Sequence, residues 1–378
     1  MDNKTFDELL LPVRNDIDRI DKQLLQLFIE RMQCTERVAE IKRAAGIPVL
    51  NTAREQVILD RVRKEAGEFG DSAVALYSSI MAISRARQHN MLETGGFLRA
   101  LEKDSPRTRM EKPKIICQGV PGAYSHTAAK RLFPEEVPVF LPSFRAVFEA
   151  VKNGEGDYGV VPVENSDAGS VSEVYDLIMR HRMYIVGAAD ISIRHCLCRA
   201  KGTGKVKKAI SKQEALAQCT VYLEANQIEA EAYSNTAAAA KYVAEQKPEG
   251  IGAVCSADAA AAYGLEIVAE DIQNTDNNCT RFVVIAREAV LPEDADKISL
   301  CFSLPHTTGS LHRTLERFAV NGLNLTKIES RPIPERNFEY DFYLDFTGNI
   351  HDPHTLALIC ALSDEMPRFS FLGNYKES

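Results

Sequence analysis

The spacing of apolar residues predicts that the chain begins with a long helix. From about Leu9 to Ala45 the apolar positions mostly recur at steps of three and four residues, the pattern of one helix face. Gly46 and Pro48 follow and interrupt the pattern. We therefore expect one long helix that ends near Ala45.

Two shorter helices are predicted after this break. Thr52 followed by Glu55 is typical of a capping box, and the second helix should run to about Ala66. A third helical pattern follows Asp71. One long helix with two short ones makes a thin core, so we expect a homodimer or higher homo-oligomer in which the long helices pack together.

Beyond Pro113 the pattern changes to short β-rich runs that alternate with helical stretches, which predicts an α/β sheet. The same alternation is repeated from about Ile193 to Gly264, so two α/β lobes with a cleft between them are expected. From Lys297 onward the order strand, helix, strand, strand, helix and a final strand predicts a small α+β unit of βαββαβ type.

These patterns define a multidomain chain. A stretch with Gly-Gly, Pro and mixed charge separates the helical part from the α/β part and is interpreted as a linker. The predicted boundaries are an all-α domain at 1–100, the linker at 101–112, the two-lobed α/β domain at 113–290 and the βαββαβ unit at 297–378.

Composition narrows the class of protein. The 378 residues are 45% hydrophobic and 26% charged, and no apolar run approaches the roughly 18 residues that would span a bilayer. The acidic N-terminus does not resemble a secretory signal, and nine scattered cysteines suit a reducing compartment, so we expect a cytoplasmic protein. A formal charge of −8 argues against nucleic-acid binding. Cys196 and Cys198 alternate as strand residues do, and no metal site is predicted.

Cations and polar groups share faces of the predicted helices. Each helical residue turns about 100°, so Arg31 and Lys42, eleven residues apart, point in nearly the same direction. Arg14 lies about 100° off that face and should serve another surface. Ser84 and Gln88 are one helical step apart and can face one cavity. Taken singly, each arginine also fits a solvated face.

Residues from about Leu9 to Asn90 resemble the all-helical chorismate mutase domain of bifunctional chorismate mutase–prephenate dehydratases. In that family Arg14 reaches into the neighbouring subunit, and here Asn51 stands where a close relative carries Asp. The resemblance implies these catalytic residues: Arg14, Arg31, Lys42, Arg54, Glu55, Ser84 and Gln88.

The implied reaction explains this composition, because rearranging a dicarboxylate needs no nucleophile, metal or cofactor. Arginines clamp the two carboxylates and hold the substrate in a near-attack conformer. Lys42 and Gln88 would donate to the ether oxygen, where negative charge develops as its C–O bond breaks. Glu55 would orient the substrate hydroxyl.

The central segment contains "GVPGAYSHTAA", "VPVENSDAGSV", "SKQEALAQC" and "NNCTRFVVIAR" in order. Taken locally, Thr280 and Arg281 are equally well explained as residues that begin a strand. The four motifs together resemble prephenate dehydratase, in which Thr280 assists departure of the ring hydroxide as a donor. Further implied catalytic residues are Asn165, Ser211 and Gln218.

Two more residues of this segment are candidates for substrate binding. Ser125 follows a Gly-rich turn whose backbone amides could bind a carboxylate. Arg281 could pair with a substrate carboxylate or with Glu164, and the sequence does not decide between them. Lys212 to Glu214 depart from the His-Pro-Gln that the family often has, which changes local turn shape and charge.

The last segment resembles the ACT domain of the same proteins, which implies phenylalanine binding between two such domains. Its paired motifs are "GSLH" and "ESRP". Gly309 would permit close backbone approach, and His312 replaces an aliphatic residue seen in some relatives. The implied effector-binding residues are Gly309, Ser310, Leu311, Glu329, Ser330 and Arg331.

Together these resemblances imply a bifunctional isomerase and lyase of phenylalanine biosynthesis. It would convert chorismate to prephenate and then to phenylpyruvate, with allosteric feedback by phenylalanine. Two alternatives stay open. The chain could be a dehydratase that prefers arogenate, or a non-catalytic amino-acid sensor, since two α/β lobes also build solute-binding proteins.

Overall fold

The computed structural model of the chain describes residues 3–333 and 339–377. It forms two compact units, each made of several chain segments. The first unit comprises Met1–Lys103, Cys301–Tyr343 and Ile350–Ser370, and the second comprises Asp104–Leu300, Leu344–Asn349 and Phe371–Ser378. Among the described residues no helix combines the length and the apolar character needed to cross a membrane.

The N-terminal segment is helical, as predicted. Helix α1 begins at Asn3, earlier than expected, and continues through Pro12, whose nitrogen cannot donate a helical hydrogen bond. The start of α2 differs from the prediction: Asn51, not Thr52, is the N-cap, and its side chain accepts from the Arg54 amide at 2.9 Å. The helices are α1 (Asn3–Ala45), α2 (Thr52–Glu65), α3 (Gly70–Leu92) and α4 (Gly96–Asp104).

Helix α4 lies in the stretch that the sequence analysis interprets as linker. Its Leu98 is buried, which anchors the helix. Gly95 precedes α4 with φ of 77°, and a Cβ there would come within 2.4 Å of the Cys360 Cβ. Glycine is therefore required by both the backbone conformation and the close approach. The Gly-Gly pair is typical of a flexible loop in sequence, but in the fold Gly95 packs tightly, whereas a Cβ at Gly96 would meet nothing within 4 Å.

The second unit contains the two predicted α/β lobes. The first lobe has a mixed sheet of order β2-β1-β3-β11-β5, with β4 paired to β3. Its strands are β1 (Ile115–Gln118), β2 (Val139–Leu141), β3 (Tyr158–Asn165), β4 (Gly169–Ser170), β5 (Tyr184–Ser192) and β11 (Cys279–Ala286). Its helices are α5 (Tyr124–Leu132), α6 (Phe144–Asn153) and α7 (Ser172–His181).

The second lobe is inserted between β5 and β11. Its sheet has the order β10-β6-β9-β7-β8. The strands are β6 (Cys196–Arg199), β7 (Lys208–Ser211), β8 (Glu229–Ala232), β9 (Ile251–Cys255) and β10 (Glu266–Ala269). The helices are α8 (Gln213–Ala217), α9 (Thr220–Ala225), α10 (Thr236–Gln246) and α11 (Ala257–Tyr263). The chain thus returns from this lobe directly into β11, which carries Thr280.

The C-terminal segment has the strand and helix order that its pattern predicts. Its four-stranded sheet has the order β13-β14-β12-β15, which leaves β13 at one edge. The elements are β12 (Lys297–Ser303), α12 (Ser310–Val320), β13 (Leu325–Pro332), β14 (Tyr340–Thr347), α13 (Pro353–Glu365) and β15 (Arg368–Tyr375).

Candidate active sites

Helices α1, α2 and α3, with the turn between α1 and α2, line an open cavity of about 280 Å³, here called the helical cavity. Periodicity explains its lining, because residues three, four or eleven apart on each helix face the same way. The structure brings together six of the seven residues that the resemblance implied for the N-terminal segment. These are Arg31, Lys42, Arg54, Glu55, Ser84 and Gln88.

Side chains of α1 and α3 hold one another at this cavity. Arg31 Nη1 donates to Ser84 Oγ at 2.5 Å, and Ser84 Oγ in turn donates to the Ile80 carbonyl at 2.9 Å. Gln88 Nε2 donates to the Ser84 carbonyl at 3.3 Å. Within the described residues Gln88 Oε1 is buried without a hydrogen-bond partner. Most of the five N–H donors of Arg31 are therefore available to a ligand, and Gln88 Oε1 can accept a hydrogen bond from one.

Lys42 is placed by the turn that follows α1. Its Nζ donates to the Val49 carbonyl. Burial lowers the pKa of Lys42, the carboxylate of Glu55 works against this, and Arg85 adds to it. Partial removal from water strengthens the attraction between this ammonium and any negative charge that develops nearby.

Arg85 also lines the helical cavity, and the sequence analysis missed it. Its Nη1 donates to Glu55 Oε1 at 2.5 Å. The signal was present, because Arg85 lies three residues before Gln88 and so falls on the same face of α3. It was missed because the family resemblance assigns no role to this position.

Arg14 lies outside the helical cavity. Its side chain is 59% exposed, and Nη1 is 3.5 Å from Asp7 Oδ1. Residues 11–27 of α1 are exposed, including Ile17, Ile20 and Leu24. A face this apolar would be covered by another surface in a folded assembly.

In the second unit, Thr280 and Asn165 face each other across the β3–β11 ladder. Asn165 Nδ2 donates to Thr280 Oγ1 at 2.8 Å. The ladder register shifts just after Arg281, and such bulges re-aim side chains at strand ends. Thr280 is buried, and its hydroxyl hydrogen is not used in the bond from Asn165. It stays available for another acceptor.

Further polar side chains extend this pair into a chain, here called the amide network: Thr280, Asn165, Asn278, Gln218 and His195. Asn165 Nδ2 is also 2.7 Å from Asn278 Oδ1, and Asn278 Nδ2 donates to Gln218 Oε1 at 2.9 Å. His195 Nε2 lies 3.1 Å from the same oxygen. Three predicted residues are therefore connected with the help of Asn278, and His195 extends the chain at Gln218; the sequence analysis selected neither of these two. Asn278 stood within a quoted motif, whereas His195 carried no usable signal.

His195 is a neutral donor in this network. Burial lowers its pKa, and the bond to Gln218 only partly offsets this. Since Gln218 Oε1 is an acceptor, Nε2 carries the proton. Nδ1 lies 3.3 Å from the Tyr124 hydroxyl, which donates to the Arg194 carbonyl at 2.5 Å. The network thus consists of uncharged groups with fixed orientations.

Two predicted serines lie outside the amide network. Ser211 ends β7, is fully buried and donates to the Val254 carbonyl at 2.6 Å. Ser125 is the second residue of α5 and donates to the Gln118 carbonyl at 2.5 Å. Both hydroxyl hydrogens are therefore engaged by backbone carbonyls in this structure.

Arg281 is surrounded by carboxylates. Its Nε and Nη2 donate to the two oxygens of Asp190 at 2.9 and 3.0 Å. Nε is also 2.7 Å from Glu377 Oε1, and Nη1 is 3.8 Å from Glu164 Oε2. Burial lowers the pKa of Arg281, but Asp190 and Glu377 outweigh it and raise the pKa overall. The sequence analysis considered a substrate carboxylate or Glu164 as the partner of Arg281. Glu164 does lie near Arg281, but it is more distant than Asp190 and Glu377.

The predicted effector residues lie on α12 and β13. Gly309 is the N-cap of α12 with φ of 76°, a conformation that favours glycine. Ser310 lines a cavity of about 480 Å³ with Pro305, Thr308 and Phe342. On the edge strand β13, Glu329 lies 3.5 Å from Lys327 Nζ. Leu311 and Ser330 belong to the same two elements.

Comparison with known proteins adds independent information. The family model described as chorismate mutase type II matches residues 13–89, and the one described as prephenate dehydratase matches residues 115–290. The bifunctional chorismate mutase/prephenate dehydratase of Aquifex aeolicus is 32% identical over 98% of this chain and 99% of its own. Arogenate dehydratase 2 of Petunia hybrida is 38% identical over 71% of this chain and 73% of its own.

A solved structure supports the same assignment for the α/β part. The prephenate dehydratase of Arthrobacter aurescens, solved in complex with L-Phe, is 29% identical and covers 69% of this chain and 89% of its own, with a TM-score of 0.64. The whole-length match and the two family models agree. The chain belongs to the bifunctional chorismate mutase/prephenate dehydratases, which rearrange chorismate to prephenate and convert prephenate to phenylpyruvate in phenylalanine biosynthesis.

Proposed function

We propose that the helical cavity is the chorismate mutase site. The observation that carries this proposal is that six implied residues from three helices line one cavity of about 280 Å³. Arg31 and Arg54 clamp the two substrate carboxylates. Lys42 and Gln88 donate to the ether oxygen as its bond breaks, and Glu55 orients the ring hydroxyl.

The mutase site is completed by a second copy of the chain. The exposed apolar residues of α1 support a homodimer or higher homo-oligomer in which these faces pack together. Arg14, exposed on the same stretch, would then reach the cavity of the neighbouring subunit. Scattered cysteines support a cytoplasmic setting.

The amide network is proposed as the prephenate dehydratase site. Thr280 assists departure of the ring hydroxide while carbon dioxide leaves and the ring becomes aromatic. Because Asn165 donates to Thr280 Oγ1, negative charge on that oxygen is stabilised and its proton is more readily donated. Gln218 orients Asn278, and a substrate carboxylate would approach Arg281 at Nη1, which lies 3.8 Å from Glu164 Oε2. Ser125 and Ser211 would bind substrate only after leaving their carbonyl partners.

The C-terminal βαββαβ segment is proposed as an ACT domain that binds phenylalanine. The turn at Gly309 offers backbone groups to an amino acid, and β13 is an edge strand that can meet a second copy. L-Phe bound to the Arthrobacter aurescens dehydratase supports this ligand. Feedback follows if phenylalanine favours one of two arrangements of the assembled subunits.

Arogenate is a second candidate substrate, because the Petunia hybrida relative is named for it. Purified protein should be assayed separately with chorismate, prephenate and arogenate, with and without phenylalanine. The proposal predicts turnover of chorismate and prephenate, and inhibition by phenylalanine. Faster turnover of arogenate than of prephenate would replace the assigned dehydratase substrate. Phenylalanine binding without any turnover would identify a sensor instead.

A further inference from the structure

A buried ion-pair cluster connects the helical cavity to the C-terminal helices within the first unit. Glu365, the last residue of α13, accepts from Arg317 Nη1 at 2.8 Å and lies 2.9 Å from His89 Nε2. Its Oε2 is also 3.3 Å from Arg85 Nε. Arg85 donates through Nη1 to Glu55 at 2.5 Å. Arg85 therefore bridges a cavity carboxylate and a C-terminal carboxylate.

Glu365 is ionised in spite of its burial. The side chains of Glu365, His89 and Arg317 are 7%, 2% and 10% exposed. Burial alone would raise the pKa of Glu365, but His89, Arg317 and Arg85 together lower it to about 2. Arg317 donates to Glu365 and His89 lies within hydrogen-bond distance of it, whereas Arg85 Nε, which has no hydrogen-bond partner among the described residues, faces it as an ion pair. This carboxylate has one preferred orientation, because rotation would leave a buried charge without its partner.

The bridge constrains Glu55 in the helical cavity. Arg85 occupies Glu55 Oε1, which leaves Oε2 for a ligand hydroxyl. Without Arg85, Lys42 remains a cation that acts electrostatically on Glu55, since the Glu55 carboxylate already favours the charged form of that lysine. A released Glu55 would pair with Lys42 and reduce the positive charge available to the breaking ether bond.

We propose that Glu365 is a positioning residue of the mutase site, because it holds Arg85 and thereby fixes the carboxylate of Glu55. The inference rests on the proposed role of Glu55. The match to the mutase family model ends at residue 89, so Glu365 lies far outside the part of the chain that defines a mutase. The C-terminal segment thus contributes to a reaction assigned to the N-terminal helices.

The test compares Arg85→Met with Arg87→Met, a matched control. Arg87 lies on the same helix, but its pair with Glu36 is solvent-exposed and outside the cavity lining. For Arg85→Met we expect kcat with chorismate to fall about tenfold or more, since small misplacements of catalytic groups can cost up to about a hundredfold. KM should stay within about twofold, because the clamping arginines are untouched. Arg87→Met should behave as the unsubstituted enzyme.

A double variant separates positioning from a general structural role. If Arg85 acts through Glu55, adding Arg85→Met to Glu55→Gln should lower kcat no further than Glu55→Gln alone. If kcat of the double variant instead falls by the product of the two single-variant factors, the proposal is overturned. Glu365→Gln keeps the side-chain volume and should give a smaller fall in the same direction, while normal turnover by this variant would also overturn it.

Two controls make the failures distinguishable. Prephenate turnover should be unchanged in every variant, and helical circular dichroism should be retained. If Arg85→Met loses helical signal, Glu365→Gln decides the question. If Glu55→Gln leaves mutase kcat intact, the proposed role of Glu55 fails together with this inference. If Glu55→Gln is impaired but Arg85→Met is not, the positioning role alone fails.

Discussion

The helical cavity and the amide network solve different chemical problems with different groups. The helical cavity is lined by cations on three helices: Arg31 and Lys42 on α1, Arg54 on α2 and Arg85 on α3. The amide network contains hydroxyl, amide and neutral imidazole groups at the end of a strand pair. The first arrangement suits the clamping of a dicarboxylate, and the second suits proton donation to one leaving oxygen.

The two sites also differ in how their groups are held. In the helical cavity, contacts between helices such as Arg31 with Ser84 fix the side chains, so each can be altered without breaking a sheet. In the amide network the ladder register places Thr280 opposite Asn165. Activity at the helical cavity should therefore depend mainly on the charge of its side chains, and activity at the amide network mainly on their orientation.

The largest effect is expected in the helical cavity, the charged one of the two sites. Lys42→Ala should reduce mutase kcat by about a thousandfold, because it removes the donor to the developing negative charge. Prephenate turnover, measured on the same preparation, should be unchanged, since Lys42 belongs to the first unit. Arg43→Ala, at the neighbouring exposed position, is the control and should retain mutase activity. Loss of both activities in folded protein would contradict independent sites.

The next effect tests the neutral site. Thr280→Val keeps the branched shape but removes the donor, so dehydratase kcat should fall about a hundredfold. KM should change little, and Thr280→Ser should recover part of the rate. Thr203→Val, which removes a hydroxyl that donates to the Ala200 carbonyl, is the control. Near-normal kcat in Thr280→Val would show that Thr280 has only a structural role in the strand. The donor would then have to be sought at Ser211 or Gln218.

A smaller effect examines a residue found only in the structure. Asn278→Ala removes the link between Asn165 and Gln218. Dehydratase kcat should fall about five- to tenfold, because a neutral hydrogen bond is worth about 1 kcal/mol. Asn277→Ala, the adjacent exposed position, should leave kcat unchanged. Equal effects of the two substitutions would show that the network does not orient Thr280.

The smallest expected effect is a difference in pH dependence between the region around His195 and the region around Glu365. Burial lowers the pKa of His195 below 6.5, so its stabilising contribution is full above pH 6.5 and is lost as the pH falls below it. The pKa of Glu365 is lowered from 4.5 to about 2, so its contribution is lost only as the pH falls from 4.5 towards 2. On acidification, hydrogen exchange should accelerate in β11 before it does in α13. The reverse order would contradict these assignments.

Local patterns predicted the elements well where periodicity was strong. The three-to-four spacing identified α1, and the alternation of runs identified the two lobes and the βαββαβ order. The details at element ends were less predictable. Asn51 rather than Thr52 caps α2, because both residue types are good caps and only the backbone path selects one. Helix α4 was missed because Gly95 and Gly96 are typical of a loop.

The candidate sites were predictable as sets of residues but not as connected geometries. The motifs selected Thr280, Asn165 and Gln218, yet the link through Asn278 and the contact of His195 with Gln218 appeared only in the fold. Arg281 illustrates the same limit. The sequence analysis left a substrate carboxylate and Glu164 open as its partners, whereas two other carboxylates, on β5 and near the C-terminus, lie closer than Glu164.

The sequence by itself determined which residue types are available and where helices and strands form, because these depend on periodicity and on neighbours within a few positions. The tertiary structure decided which side chains meet. The contact between Arg85 and Glu365 joins positions 280 residues apart, so it depends on how α3 and α13 pack. No local pattern encodes such a contact, since burial and register are set only when distant elements assemble.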